Sequence, residues 1–279
     1  MANIQLATQF LGAVDELFTT ESKKSLLTNE DFSWVGAHNI KVYSVSTAQM
    51  NDYGRNGPED GNWSRYGEVN DLDATTQEMR LRKDRSFTFA VDKLDTDETK
   101  MALQAASALA RQIREVVIPE VDRYVYAEMC QHAGQAPAAI ALTEANIYEV
   151  IIGNNKLLDD AEVPETGRVL LVTPDTYLLM KKDRNIIMET DITAEMRIRG
   201  VIALLDGLTV IKVPATRLPD DFGFMIAHPV ATVAPTKLED YTIHQNPPGI
   251  NGDLVEGRIA YDCHILNNKA KAVLYQATA

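Results

Sequence analysis

The feature that most constrains this chain is a long glycine-rich stretch between two segments that alternate like β-strands. Residues 38–45 alternate, with Ile40 and Val42 on one face, and alternation returns from Glu78 to Val91. Between them, residues 51–73 carry glycine, asparagine and proline at intervals that disfavour regular structure. Structureless loops beyond about 12–15 residues are usually functional or disordered. The sequence therefore predicts a hairpin that projects from the body of the protein.

Charge is distributed unevenly along this hairpin. The tip, residues 51–73, has six acidic and two basic side chains, whereas residues 78–85 have four basic and two acidic ones. A basic stem of this kind can receive an acidic tip from a neighbouring copy of the chain. The alternative interpretation is that both sets of charges are simply solvated.

A long helix is predicted to follow the hairpin. The D-x-x-E pattern at 95–98 is a capping signal, and apolar residues at helical spacing extend the helix from Asp95 to about Gln131. Gly134 marks its end. Pro119 removes a backbone donor inside the helix, so we expect a bend just before it, near Ile118.

The chain before the hairpin predicts one short amphipathic helix. Apolar residues recur at three- and four-residue spacing between Ala7 and Phe18, and a polar stretch follows. The first 30 or so residues are typical of an arm that docks elsewhere, although an ordinary packed first helix fits equally well.

The second half alternates helices and strands. We expect a helix over 143–158, a buried strand over 168–172, a helix opened by Pro174, a tight hairpin at Asp206-Gly207 and a strand over 222–227. A last alternating strand places Ile259, Tyr261, Cys263 and Ile265 on one face, which makes Cys263 a core residue rather than a nucleophile.

Composition excludes several function classes. A net charge of −13 disfavours tight wrapping of nucleic acid, and two cysteines among 279 residues cannot form a disulfide framework. The serine-hydrolase elbow and the glycine-rich phosphate loops are absent, and the five histidines are scattered. We therefore predict no catalytic, cofactor-binding or metal site. No apolar run is long enough to span a membrane and no secretion signal is seen, so a reducing cytoplasm is the expected compartment.

Several local strings occur in a characteristic order along nearly the whole chain. They are GAHNIKVYSV (36–45) followed by the YGRNG turn (53–57), DRSFTFAVDKLDTDET (84–99), VIPEVDRYVY (117–126), GLTVIKVPATRLP (207–219), FGFMIAHPVA (222–231) and NPPGINGDLVEGRIAYDCHILNNKA (246–270). By the order of its elements and these strings, the sequence resembles a tailed-phage major capsid protein of the HK97-like fold.

The resemblance implies an α+β fold with named parts. Residues 1–35 would be the N-terminal arm, and residues 46–86 the extended E-loop. Residues 36–45, 87–134 and 231–279 would form the peripheral (P) domain with its long spine helix, and residues 135–230 the axial (A) domain.

The resemblance also implies a structural function. Copies would form hexamers and pentamers of an icosahedral shell around double-stranded DNA, assembled in the host cytoplasm. Partners would be other copies, weakly bound DNA, a portal, decoration proteins and a scaffolding protein separate from the short arm. The loop tip has no lysine, so no Lys–Asn cross-link is expected. From charge and position, the candidate contacts between copies are Glu59, Asp60, Trp63, Arg65, Glu68, Arg80, Arg82, Arg85, Arg111, Arg114 and Glu120, and Pro119 is the candidate bend of the spine helix.

Two alternatives stay open at this point. Encapsulin shells resemble the same fold but package enzymes rather than DNA. An acidic cytoplasmic α/β enzyme that uses dispersed carboxylates would instead be a monomer with a concave, carboxylate-lined pocket.

Overall fold

The computed structural model describes residues 21–29, 39–57, 63–67, 71–98, 104–183, 186 and 201–279. The chain divides into two compact units. We call Ala37–Arg80 the loop unit, and Met1–Gly36 with Leu81–Ala279 the body. The helix predicted between Ala7 and Phe18 lies outside the described residues.

The helices and strands have the following bounds. The strands are β1 Asn39–Val45, β2 Ala74–Arg80, β3 Lys83–Asp92, β4 Val169–Val172, β5 Val201–Leu205, β6 Leu208–Lys212, β7 Phe222–Ala227, β8 Thr232–Val233, β9 Thr236–Gln245, β10 Gly252–Tyr261, β11 His264–Ile265 and β12 Val273–Ala277. The α-helices are α1 Lys93–Glu98, α2 Ala105–Gln112, α3 Ile118–Gln131, α4 Ile147–Asp160 and α5 Pro174–Lys182, with a π turn over Ile113–Val117.

The loop unit is the predicted hairpin. β1 and β2 pair antiparallel, with Asn39 opposite Arg80 and Val45 opposite Ala74. One expectation was wrong: the alternation from 78 to 91 is not a single strand. β2 pairs with β1, whereas β3 pairs with β10 in the body, and residues 81–82 separate them. A break of two residues preserves the alternation, so the pattern could not reveal it.

The body contains two main sheets. One has the order β3-β10-β9 and is antiparallel; the other has the order β12-β7-β4-β6-β5, in which only β4 and β6 run parallel. Every residue of β4 and β7 is buried, and the core cluster joins this sheet to α3, α4 and α5. β12 lies beyond residue 230 yet pairs with β7, so the sheet crosses the boundary that the resemblance places between the A and P domains.

Most local signals of the second half are confirmed, but the strand expected to continue to Ile265 ends at Tyr261, and His264–Ile265 form β11 in a separate pair with β8. Thr173 caps the helix that Pro174 opens, by accepting the Thr176 N–H at 3.0 Å. Asp206 and Gly207 have φ of 46° and 78°, as a two-residue hairpin turn with positive φ at both positions requires. The helix expected from 143 begins at Ile147, after a turn over Thr143–Asn146.

The long helix differs in detail from its prediction. One part of the prediction was wrong: the helix is not continuous from Asp95. A short helix, α1, begins at Lys93, because the Asp92 carboxylate accepts the Leu94 N–H at 2.8 Å. The backbone is extended at Gln104 (φ −102°, ψ 140°), so α2 begins separately at Ala105. Regular α-helix is interrupted over Ile113–Val117, directly before Pro119, where the Ile118 N–H bonds to the Ile113 carbonyl five residues back. The predicted irregularity is thus a π turn, and a bend at Pro119 stays a prediction.

Gly134 follows the helix for a different reason than the expected end signal. His132 ends the helix, and the Gly134 N–H donates to the Ala270 carbonyl at 3.1 Å. A Cβ at Gly134 would lie 2.3 Å from the Ala270 carbonyl carbon. The position requires glycine because two backbones approach closely there.

We expect Gly134→Ala to destabilise the subunit by about 1–3 kcal/mol, since either backbone must move. Gly153→Ala is the matched control: Gly153 lies in α4 with open space around its Cβ position, so alanine there should stabilise by about 0.5–1 kcal/mol. Urea unfolding of the unassembled subunit measures both changes. Equal effects of the two substitutions would contradict the close-approach account.

Candidate functional site

The loop unit exposes a set of large apolar side chains. Met50 and Trp63 are 95% and 85% exposed. The full set, which we call the loop apolar surface, is Tyr43, Val45, Met50, Tyr53, Trp63, Tyr66 and Leu72. A two-stranded ribbon is marginal in water by itself, and exposed apolar patches of this kind mark interaction sites. The loop unit therefore has the character of a contact surface.

The tip of the loop unit is braced internally. The Gly54 N–H donates to the Arg65 carbonyl at 2.8 Å, and the rings of Tyr53 and Tyr66 meet edge to face with centroids 5.0 Å apart. The Asn51 side-chain amide donates to the Tyr66 carbonyl at 3.3 Å. These contacts join the two described segments of the tip, 51–57 and 63–67.

Sequence-predicted contact residues fall in both units. Trp63 and Arg65 lie in the tip, Arg80 lies at the end of β2 beside Glu78 (3.2 Å), and Glu59, Asp60 and Glu68 lie outside the described residues. In the body, Arg111 lies in the last turn of α2, and Arg114 is exposed on the π turn.

The structure brings Arg85 and Glu120 together. The Arg85 Nε lies 2.7 Å from the Glu120 Oε1, and both side chains are largely exposed, so the pair adds little stability. The pair borders a crevice of about 150 Å³ between the π turn and the three-stranded sheet, lined mainly by Phe87, Val116, Val117, Val121, Ile259 and Tyr261. An apolar crevice of this size can hold one aromatic ring.

The remaining basic residues of the stem also have partners on their own chain. Arg82 bonds to Asp262 and Glu128, and the Lys83 ammonium lies 4.9 Å from the centre of the Tyr124 ring. That the stem receives an acidic tip from a neighbouring copy stays a prediction. These basic side chains would then contact the tip in addition to their present partners on their own chain.

A buried ion pair that the sequence did not indicate involves an acidic side chain of α3. Arg217 Nη1 is 2.8 Å from Asp122 Oδ2, with side chains 6% and 1% exposed. Ser22 donates its hydroxyl to the other Asp122 oxygen at 2.6 Å, and Leu27 is completely buried. Residues 21–29, expected to belong to an arm that docks elsewhere, therefore pack on their own body.

The described residues offer little reactive chemistry. They contain no group of three or more His, Cys, Asp and Glu side chains placed to hold a metal ion. Burial raises the pKa of the Cys130 thiol to about 12 and also raises that of Cys263, which is buried in the core as predicted. Among the described helices, none combines the length and apolar character needed to cross a bilayer.

One open groove has acidic residues in its lining. It measures about 590 Å³ at the turn between β9 and β10, and its described lining includes Asp97 and Asp253 together with Lys93. No histidine or cysteine is among those lining residues.

Among the comparisons with known proteins, the search of solved structures finds similar folds. No family model matches the chain, and no curated protein matches its sequence. A solved structure from Mycobacterium phage Che8 is similar with a TM-score of 0.71 and 18% identity, covering 98% of this chain and 96% of that one. The capsid structure of cyanophage P-SCSP1u gives a TM-score of 0.73 and 14% identity, over 98% and 93%.

A third neighbour is more distant. The virus-like particle from Pyrococcus furiosus gives a TM-score of 0.54 and 12% identity, covering 92% of each chain. With the phage structures matching over nearly all of the chain, the chain has the HK97-like capsid fold, as the sequence predicted.

Proposed function

We propose that this chain is the major capsid subunit of a tailed phage, whose copies assemble as hexamers and pentamers into an icosahedral shell around double-stranded DNA. The observation that carries the proposal is the fold agreement with phage capsid structures over 98% of the chain. A structural role of this kind needs no active site, and its location would be the virion, assembled in the host cytoplasm.

The loop apolar surface supports assembly independently of the fold comparison. Each copy carries seven large apolar side chains that are at least half exposed on one small unit. Burying a single such side chain contributes about 1.5–3 kcal/mol. Contact with a neighbouring copy would supply that burial in every subunit of a closed ring.

The charge supports a shell that holds DNA without binding it tightly. At a net −13, a lining of such subunits repels phosphate overall and leaves only local contacts to basic residues. A portal, a scaffolding protein and decoration proteins are the further partners we propose.

An encapsulin-like shell is the second candidate. The capsid fold is common to both candidates, so the contents of the particles, DNA or enclosed protein, distinguish them.

Size-exclusion chromatography and negative-stain electron microscopy test the proposal on the purified chain, with and without a co-expressed scaffold gene. We expect closed shells or five- and six-fold rings. Nuclease-protected DNA in particles from infected cells would favour the virus, and enclosed protein would favour the nanocompartment. A compact monomer under both conditions would contradict the proposal and return attention to an enzyme.

A further inference from the structure

The chain passes between the loop unit and the body at two places, and the link between β2 and β3 is only two residues long. Arg80, the last residue of β2, pairs with Asn39, and Lys83, the first residue of β3, pairs with Tyr261. Residues 81 and 82 belong to neither strand. The backbone therefore changes from one sheet to another within this link, and its conformation there has to be fixed by something other than strand pairing.

The carboxylate of Asp262 takes the place of a strand partner for Arg82. Asp262 directly follows Tyr261, so it stands where the next partner in the ladder would be. Its Oδ2 accepts both the Arg82 backbone N–H at 2.9 Å and the Arg82 Nε–H at 3.1 Å, while its Oδ1 accepts from Nη2 at 3.2 Å. One carboxylate thus binds the backbone and the guanidinium of the same residue, which is a more restrictive arrangement than an ordinary ion pair.

Asp262 is itself held from the body. Its side chain has no exposed surface. Tyr124 on α3 donates its hydroxyl to Oδ1 at 2.8 Å, and the Cys263 N–H donates to the same oxygen at 2.7 Å. Burial alone would raise the pKa of the Asp262 carboxyl, but the bonds from Arg82, Tyr124 and Cys263 outweigh it and hold that pKa below its ordinary value.

Further ionisable groups surround this cluster. Glu128, one turn along α3 from Tyr124, accepts from Arg82 Nη2 at 2.8 Å. His264 lies 3.5 Å from Asp262, and His132 lies 3.4 Å from Glu128. The guanidinium of Arg82 is therefore held between two carboxylates supplied by two separate elements of the body.

We propose that Asp262, acting through Arg82, is the positioning residue that fixes the backbone of residues 81–82, where the chain leaves β2 and enters β3, and thereby makes the joining of neighbouring copies uniform. This role rests on the proposed function, because variation at the link becomes variation in the shell only if the loop unit contacts a neighbour. With Asp262 in place, residues 81–82 keep one conformation in every copy. Without the Asp262 carboxylate, the Arg82 N–H loses its acceptor, and the guanidinium keeps only its hydrogen bond to Glu128.

Asp262→Asn tests the proposal, with Asp84→Asn as its matched control. Replacing Asp84 removes the same charge from β3, two residues after Arg82, but its side chain is half exposed and pairs with Arg258 (2.9 and 2.6 Å). Hydrogen exchange at residues 81–83 is measured on unassembled subunits, and particle diameters are measured by electron microscopy on assembled ones. Thermal unfolding establishes that each variant is folded.

We expect Asp262→Asn to speed exchange of the Arg82 amide about tenfold, as loss of a charge-assisted hydrogen bond requires. Its particles should vary in diameter or close incorrectly, whereas Asp84→Asn should match the wild type in both measurements. Should Asp262→Asn fail to fold, Tyr124→Phe decides, because it removes one donor to Asp262 and keeps the ring; a smaller change in the same direction is expected.

Unchanged exchange at residues 81–83 in Asp262→Asn would overturn the proposal, as would faster exchange with particles as uniform as the wild type. If wild-type subunits form no particles at all, the proposed function fails instead, and the exchange measurement still reports whether Asp262 fixes the link.

Discussion

Arg217→Leu is expected to destabilise the subunit by about 3–5 kcal/mol, because it leaves the Asp122 carboxylate buried without its cation. Asp122 is 1% exposed, and it also accepts a hydrogen bond from the Ser22 hydroxyl at 2.6 Å. The loss would also loosen residues 21–29, which Ser22 helps to hold on the body. Urea unfolding of the unassembled subunit, followed by circular dichroism, measures the change.

Arg123→Leu is the control for this prediction. Arg123 directly follows Asp122 in α3, but its side chain is exposed and donates to the Thr216 carbonyl at 3.2 Å. Its replacement should cost no more than about 0.5–1 kcal/mol. Replacing Asp122 by asparagine in the Arg217→Leu background should recover part of the loss, since no charge is then left unpaired. Similar costs for Arg217→Leu and Arg123→Leu would show that the buried pair is not a major determinant of stability.

Met50→Ser combined with Trp63→Ser is expected to abolish assembly at concentrations where the wild type forms particles. These are the two most exposed side chains of the loop apolar surface, so the folded subunit should lose little stability. If both are buried against a neighbour, their loss removes about 3–6 kcal/mol per contact, and the concentration needed for assembly should rise at least roughly a hundredfold. Light scattering against subunit concentration measures this threshold.

Trp63→Phe is the matched control, because phenylalanine keeps an aromatic ring at the same position. It should assemble within about tenfold of the wild-type concentration. Assembly of the double variant at wild-type concentrations would mean that the loop apolar surface is not part of the contact between copies.

The sequence predicted those parts of the fold that depend on local chemistry. Asp206-Gly207 forms the expected turn because few other residues adopt positive φ at both positions. Pro174 opens a helix because its missing N–H costs nothing in the first turn. The strand over Phe222–Ala227 is buried along its whole length, as its continuous apolar run indicated.

Pairing between distant segments could not be predicted in the same way. The alternation from 78 to 91 gives the face of each residue but not its partner strand, so the change of sheet at residues 81–82 was missed. The sequence placed Asp262 in an alternating strand on the parity opposite to Tyr261 and Cys263, which is typical of a solvent-facing residue, whereas β10 ends at Tyr261. Only its contacts with Arg82 and Tyr124, about 180 and 138 positions away in sequence, account for its burial.

The buried residue Asp122 was missed for a related reason. It lies within the predicted helix, where a single acid carries no signal of a partner, and Arg217 follows 95 positions later. The candidate contacts Arg82, Arg85 and Glu120 were predicted from charge and position, and their contact with another copy stays a prediction. The structure adds the partners that each has within the chain.

Electron cryomicroscopy of particles assembled from the wild-type chain tests the central claim most directly. The account predicts rings of five and six subunits in a closed shell, with Met50 and Trp63 of each copy buried against a neighbouring copy. A monomer, or an assembly in which these side chains remain exposed to solvent, would contradict it.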